Sequence, residues 1–272
     1  GDGAATGAAL PDGFFNFFTT PQDIISGLGW GLGYFGMPHI IIRFMSLKSE
    51  KELRKSSVIG ISWTTIILIM SALTAIAGRL YLGEIEDSST VFITMVRRIF
   101  PALVSGLLLS AILSAAMSTA DSQLLAASSA FASDVYKPVI RKKASDSEML
   151  WAGRIVVIVI AVVALMIASD PNSGSIMGLV ENAWGVFGAA FGPVILLSLF
   201  WKRLTFGGTV AGIAVGAAVD ILWLVFLSST DIYEIVPGFA AGLLAAVVVS
   251  FLSKGPGKDV EDLFDRAVDL KS

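Results

Sequence analysis

The chain has no cysteine among its 272 residues, a single histidine, and only 15% charged residues. Without cysteine, neither a disulfide framework nor thiolate chemistry is open to it. A formal net charge of −3 is too small to point to nucleic acid, so no such partner is expected. Gly1–Leu10 has no initiator methionine and no basic segment followed by an apolar core. It is therefore no signal peptide, and the chain reads as an excised or processed piece. What remains is overwhelmingly apolar: 55% hydrophobic residues and a mean hydropathy of +0.79, outside the range of ordinary soluble domains. A lone strand would leave its backbone unpaired in lipid, so the expected class is an all-α membrane protein.

Residues 1–23, rich in Gly, Ala and Asp with a Phe14-Phe15-Asn16-Phe17-Phe18 patch, read as an exposed loop that touches an interface. Seven transmembrane helices follow: about 24–45, 57–83 and 101–136, then Leu150–Ser169, Ser175–Trp201, Phe206–Leu227 and Tyr233–Phe251. In the first span Gly27, Gly29, Gly31, Gly33 and Gly36 precede Pro38. Glycine weakens a helix, and proline removes a donor and clashes with a preceding carbonyl, so a break between Gly29 and Pro38 is expected. The third span is longer than a hydrocarbon core of roughly 30 Å requires, so it must tilt, bend or project. The turn formers Asp170-Pro171-Asn172-Ser173-Gly174 separate the fourth span from the fifth. After Lys254 the spacing of Val260, Leu263, Phe264 and Ala267 predicts a short amphipathic helix.

Basic residues give the orientation. All lie in or next to the loops after the first, third and fifth spans or in the tail, except Arg79, Arg97 and Arg98. By the positive-inside rule the tail 254–272 is cytoplasmic and the N-terminal loop 1–23 is extracytoplasmic.

The polar centre of the chain is Leu109–Leu125, LSAILSAAMSTADSQLL. Ala115, Ser118, Thr119 and Ser122 stand at i, i+3, i+4 and i+7 and share one helix face, with Asp121 beside it. A carboxylate in a membrane helix costs at least a few kcal/mol unless it faces protein or water. Carboxylate, hydroxyl and carbonyl oxygens suit a small hard cation. The alternative is structural: small residues allow close packing, and hydroxyls bond back to the preceding turn. Of the other acidic residues at membrane depth, Glu181 and Asp220 are expected to reach a polar neighbour or the headgroups.

Three motifs carry a resemblance: Trp30–Phe44 (WGLGYFGMPHIIIRF), Met117–Leu125 (MSTADSQLL) and Ala183–Pro193 (AWGVFGAAFGP). Together they resemble the sodium:solute symporter family, and within it the bacterial sodium/proline symporters. The likeness runs over nearly the whole chain but covers only the later part of the family's fold. It implies that residues 24–201 form the second five-helix inverted repeat of a five-plus-five transporter core. The two spans in 202–253 would be peripheral, and further helices on the N-terminal side would complete the protein.

The same resemblance implies sodium as coupling ion, held by the Ala115 carbonyl and the Ser118 and Thr119 hydroxyls. A second sodium would sit at Ser118, Asp121 and Ser122. A proline-like amino acid would lie against Trp30, Tyr34, Pro38 and His39. The implied activity is sodium-coupled import of L-proline or a related small amino acid across a bacterial inner (plasma) membrane, with no enzyme chemistry and no cofactor. A symporter for another small organic solute remains open, as does the transporter-like membrane module of a solute sensor. Met37 stands where some proline transporters carry glutamine.

Overall fold

The computed structural model describes residues 13–16, 20–170 and 173–269. Phe17 and Phe18 of the N-terminal patch and Pro171 and Asn172 of the turn lie outside the described residues. No strand occurs among the described residues, and six helices are long and apolar enough to cross a membrane. These six are the helices expected as the second to seventh crossings. The seventh expected crossing is the glycine-rich first stretch, in which no single helix reaches the required length: α1 covers Pro21–Trp30, a 3-10 turn covers Gly31–Phe35, and α2 covers Pro38–Met45.

The chain divides into two compact units. The first comprises Gly1–Phe17 and Ser46–Ala161. Its α3 runs Glu50–Leu82, with Ser57 and Thr74 bonding back to the carbonyls of Leu53 and Met70. A turn around Asp87, whose carboxylate accepts from the Ser89 N–H, leads into α4, Val91–Ile99. Gly78 lets α3 meet α4 closely, because a Cβ there would collide with Val91. Pro101 starts α5, Ala102–Ala130, and the Ser105 hydroxyl pins the α4–α5 corner by donating to the Val96 and Phe100 carbonyls, each at 3.0 Å. The helix then continues in π register over Phe131–Ile140, with Pro138 inside it. That continuation takes the third crossing past the hydrocarbon core, as its length requires. At its end Glu148 of α6 (Asp146–Ser169) accepts from the Tyr136 hydroxyl and pairs with Arg141.

The second unit comprises Phe18–Met45 and Val162–Ser272. Helix α1 begins at a capping box, in which Thr20 and Asp23 satisfy each other's backbone N–H, with Pro21 at the first helical position. Helices α7 (Ile176–Phe200), α8 (Phe206–Phe226) and α9 (Ile235–Leu252) pack through small residues. Gly208, Gly212 and Gly216 on α8 and Gly238 and Gly242 on α9 all sit where a Cβ would strike the neighbouring helix. Buried Ser250 of α9 ties down the start of α8 by accepting from the Thr205 N–H at 3.1 Å. The resemblance sets α8 and α9 outside the core repeat, yet in this unit they enclose one side of α7. The amphipathic tail helix α10 spans Lys258–Asp269, and Lys202 pairs with its Asp265.

Candidate functional site

Two of the expected site groups fall in different units, so each stands by itself. The first gathers around the interrupted stretch between α1 and α2. The α-helical ladder stops at Trp30, and the Trp30 carbonyl, at the start of the 3-10 turn, accepts from the Trp184 indole Nε1 of α7 at 3.0 Å. That bond puts the two tryptophan rings in a stack, 6.1 Å apart and 15° from parallel. Trp30 also stacks on Tyr233, just before α9, at 5.5 Å. Tyr34 meets Trp184 edge-on at 4.9 Å.

This approach needs Gly33, because a Cβ at that position would overlap the Trp184 ring, and Gly36, because one there would overlap the Phe187 carbonyl. Ser26 completes the frame, accepting from the Tyr233 N–H at 3.0 Å, while the Tyr233 hydroxyl donates to the Glu181 carbonyl at 2.8 Å. An aromatic wall of Trp30, Tyr34, Trp184 and Tyr233 therefore lines a broken helix. The aromatic surface that such a wall leaves exposed can make apolar contact with a small aliphatic ring.

Of the four substrate residues expected from the sequence, the structure brings Trp30 and Tyr34 into that wall. Trp30 is half-buried, and Tyr34 and Pro38 are exposed. Pro38 opens α2, where the Met37 carbonyl accepts from the Ile40 and Ile41 N–H groups. The His39 ring makes no hydrogen bond among the described residues. Two carbonyls at the interruption are already bonded: Trp30 to Trp184 and Met37 to N–H groups of α2. Trp184 and Tyr233 are the wall residues that sequence reasoning missed as ligand candidates. Trp184 stood inside a matched motif, and a tyrosine bounding the last span is the only other signal.

The second group lies on α5. Helix α5 is continuous through the polar stretch, so the Ala115 carbonyl is not released by a break; it accepts from the Thr119 hydroxyl at 3.3 Å. Ser122 bonds back to the Ser118 carbonyl at 2.9 Å, and Ser114 to the Ser110 carbonyl at 2.9 Å. Ser118, Thr119 and Asp121 are exposed and Ser122 is half-buried, so one helix face presents hydroxyl, carbonyl and carboxylate oxygens to its surroundings. Oxygens of these types suit a small hard cation, and those on one helix face could form only one side of a coordination shell. Among the described residues no three His, Cys, Asp or Glu side chains cluster as a metal site.

The model of the sodium:solute symporter family matches residues 6–216. The chain is 44% identical over 278 aligned residues to the high-affinity proline transporter PutP of Bacillus subtilis strain 168, covering 100% of this chain and 59% of that protein. It is 45% identical to the osmoregulated proline transporter OpuE of the same strain, covering 89% of this chain and 50% of that one. It is likewise 45% identical to a sodium/proline symporter of Haemophilus influenzae, with 96% and 54% covered. The chain thus spans about half the length of the curated relatives it matches. No solved structure matches.

Proposed function

Because the chain belongs to the sodium:solute symporter family, we propose that it is the later part of a sodium-coupled symporter that imports L-proline or a related small amino acid. The observation that carries the reading is the aromatic wall of Trp30, Tyr34, Trp184 and Tyr233 beside a broken helix, in a chain whose relatives are named proline transporters. The pyrrolidine ring lies against the exposed Tyr34 ring and the edge of Trp30 that the stack leaves open, and backbone groups of the interrupted stretch orient the carboxylate and ammonium. Pro38 and His39 border this site at the start of α2.

Sodium binds on α5 through the Ala115 carbonyl and the Ser118 and Thr119 hydroxyls, with Ser118, Asp121 and Ser122 as a second sodium position. To do so the Thr119 hydroxyl swings its proton away from the Ala115 carbonyl, leaving both oxygens free to ligate. A small hard cation gives up its water only when several oxygens replace it together. The opposing ligands therefore come from helices that precede this chain in the complete protein. Residues 24–201 act as one repeat that rocks against its inverted counterpart, and the tail lies on the cytoplasmic side of the plasma membrane.

Uptake of labelled proline by the complete transporter in proteoliposomes tests the reading. An inward sodium gradient drives accumulation and an equal potassium gradient does not. Accumulation that is indifferent to which cation is supplied would overturn it.

A further inference from the structure

Asp220 and Glu234 belong to neither site. Asp220 on α8 is 0% exposed, and Glu234, immediately before α9, is 8% exposed. Asp220 therefore does not reach the headgroups, and the polar neighbour it approaches is Glu234. Both its carboxylate oxygens lack a hydrogen-bond partner among the described residues, and so does Glu234 Oε1. The two carboxyls converge on Gly185 of α7: a Cβ placed there would lie 3.1 Å from Asp220 Oδ1 and 3.3 Å from Glu234 Oε1. The absence of a side chain at Gly185 is what lets both reach the same point between α7, α8 and α9.

The ionisable groups that face the pair are Glu181 from α7 and Tyr233, next to Glu234. Both would be neutral or negative, and no lysine, arginine or histidine among the described residues pairs with either carboxyl. The Tyr233 hydroxyl is turned to the Glu181 carbonyl, and the Trp223 indole of α8 donates to the Ile232 carbonyl, so neither donor serves the pair.

Two ionised carboxylates in such a place would bear a desolvation cost that only the backbone N–H of Glu234 offsets in part, and would repel one another. A metal cation answers that charge only with several further oxygens around it, and three unpartnered carboxyl oxygens do not make such a shell. A proton needs no shell and fits between two carboxyls. We propose that Asp220 and Glu234 form a proton-binding site, in which one proton taken from water is shared by the pair at neutral pH, one group as carboxylic acid and the other as carboxylate. The site is closed by α7, α8 and α9 alone, so it does not rest on the nature of the transported solute. Because Tyr233 adjoins Glu234 and stacks on Trp30, release of the proton puts a second negative charge next to the aromatic wall.

Infrared difference spectroscopy of the complete transporter in lipid nanodiscs, titrated from mildly acidic to alkaline pH, tests this. The wild type is expected to show the carbonyl stretch of a buried protonated carboxyl at neutral pH, fading only in the alkaline range. Asp220→Asn combined with Glu234→Gln abolishes that band. Asp220→Asn alone removes the repulsion, so the remaining group loses its proton at lower pH, with an affinity about tenfold weaker or more. The single variants keep the test alive if the double one does not fold. No protonated carboxyl in the wild type at neutral pH would overturn the proposal, as would a band that vanishes when sodium replaces potassium at constant pH.

Discussion

The two compact units have the same apolar character and pack in opposite ways. In the most apolar window of α7, 39% of residues are buried within the chain, and in α9 33% are; in α3 none are, and in α5 only 6%. Apolarity does not explain the difference, since lipid tails solvate leucine as well as another helix does. Small residues do. The glycines of α8 and α9 stand against neighbouring backbone, whereas Gly60 on α3 and Gly106 on α5 have nothing within 4 Å of a built Cβ. Close approach of backbones, and the dispersion contacts it allows, holds helices together where no hydrophobic driving force exists. Gly60 on α3 and Gly106 on α5 bring no neighbouring backbone close within their own unit.

The largest expected effect comes from breaking the packed side of that comparison. Gly216→Val drives a branched side chain into the Ala189 carbonyl, a backbone atom that cannot step aside. The cost is about 3 kcal/mol, at the upper end for overpacking. Gly60→Val on the open α3 face stays within about 0.5 kcal/mol of wild type. Thermal melting of the complete transporter in detergent compares them; equal losses would show that α3 is as tightly packed in the whole protein as α8 is here.

A smaller effect is expected at the aromatic wall, where two glycines of the same 3-10 turn differ. Gly33→Ala places a methyl group in the Trp184 ring and disturbs its bond to the Trp30 carbonyl, so KM for proline rises about tenfold, or about 1.4 kcal/mol. Gly31→Ala meets nothing within 4 Å and leaves KM within a factor of about two. Uptake kinetics in proteoliposomes measure both. Equal rises in KM would mean that the turn responds to lost glycine flexibility and not to the Trp184 contact.

The contrast also marks what the sequence made legible. Helix positions, the interruption ahead of Pro38 and the shared face of Ala115, Ser118, Thr119 and Ser122 are local properties of spacing and of glycine and proline chemistry, and they could be read directly. The partners of those groups are long-range. Nothing near Trp30 in sequence announces that Trp184 and Tyr233 will stack on it, because that arrangement depends on Gly33 and Gly188 letting α7 and α9 close in. At Ala115 a hydroxyl four residues on reads equally well as a ligand or as a back-bond to the preceding turn; Thr119 makes that back-bond in this structure and would have to release it to ligate a cation. Asp220 shows the same limit, since its burial follows from glycines on two other helices.

On the open side of the comparison, the polar face of α5 gives the third expected effect. Thr119→Val keeps the shape and deletes one oxygen from a shell that has few. The half-saturating sodium concentration for proline uptake is expected to rise about fivefold, or roughly 1 kcal/mol, with little loss of folded protein. An unchanged value would leave Thr119 a packing residue, and the α5 face would then be open for structural reasons alone.

The smallest effect sharpens that result by separating ligation from helix geometry. Ser110 lies on the same helix and makes the same kind of bond as Thr119, its hydroxyl donating to the carbonyl four residues earlier, Gly106, at 2.7 Å. It stands five residues before Ala115, about 140° around the helix at 100° per residue, so it faces away from the proposed sodium position. If hydroxyls on α5 matter because they bend or loosen the helix by bonding back, Ser110→Ala and Thr119→Val should move the sodium dependence alike. If Thr119 is a ligand, Ser110→Ala leaves the half-saturating sodium concentration unchanged within the error of the uptake assay, and only the face carrying Ala115, Ser118 and Thr119 responds. A matched shift in both variants would assign the α5 polar run to helix conformation and move the sodium position off this face.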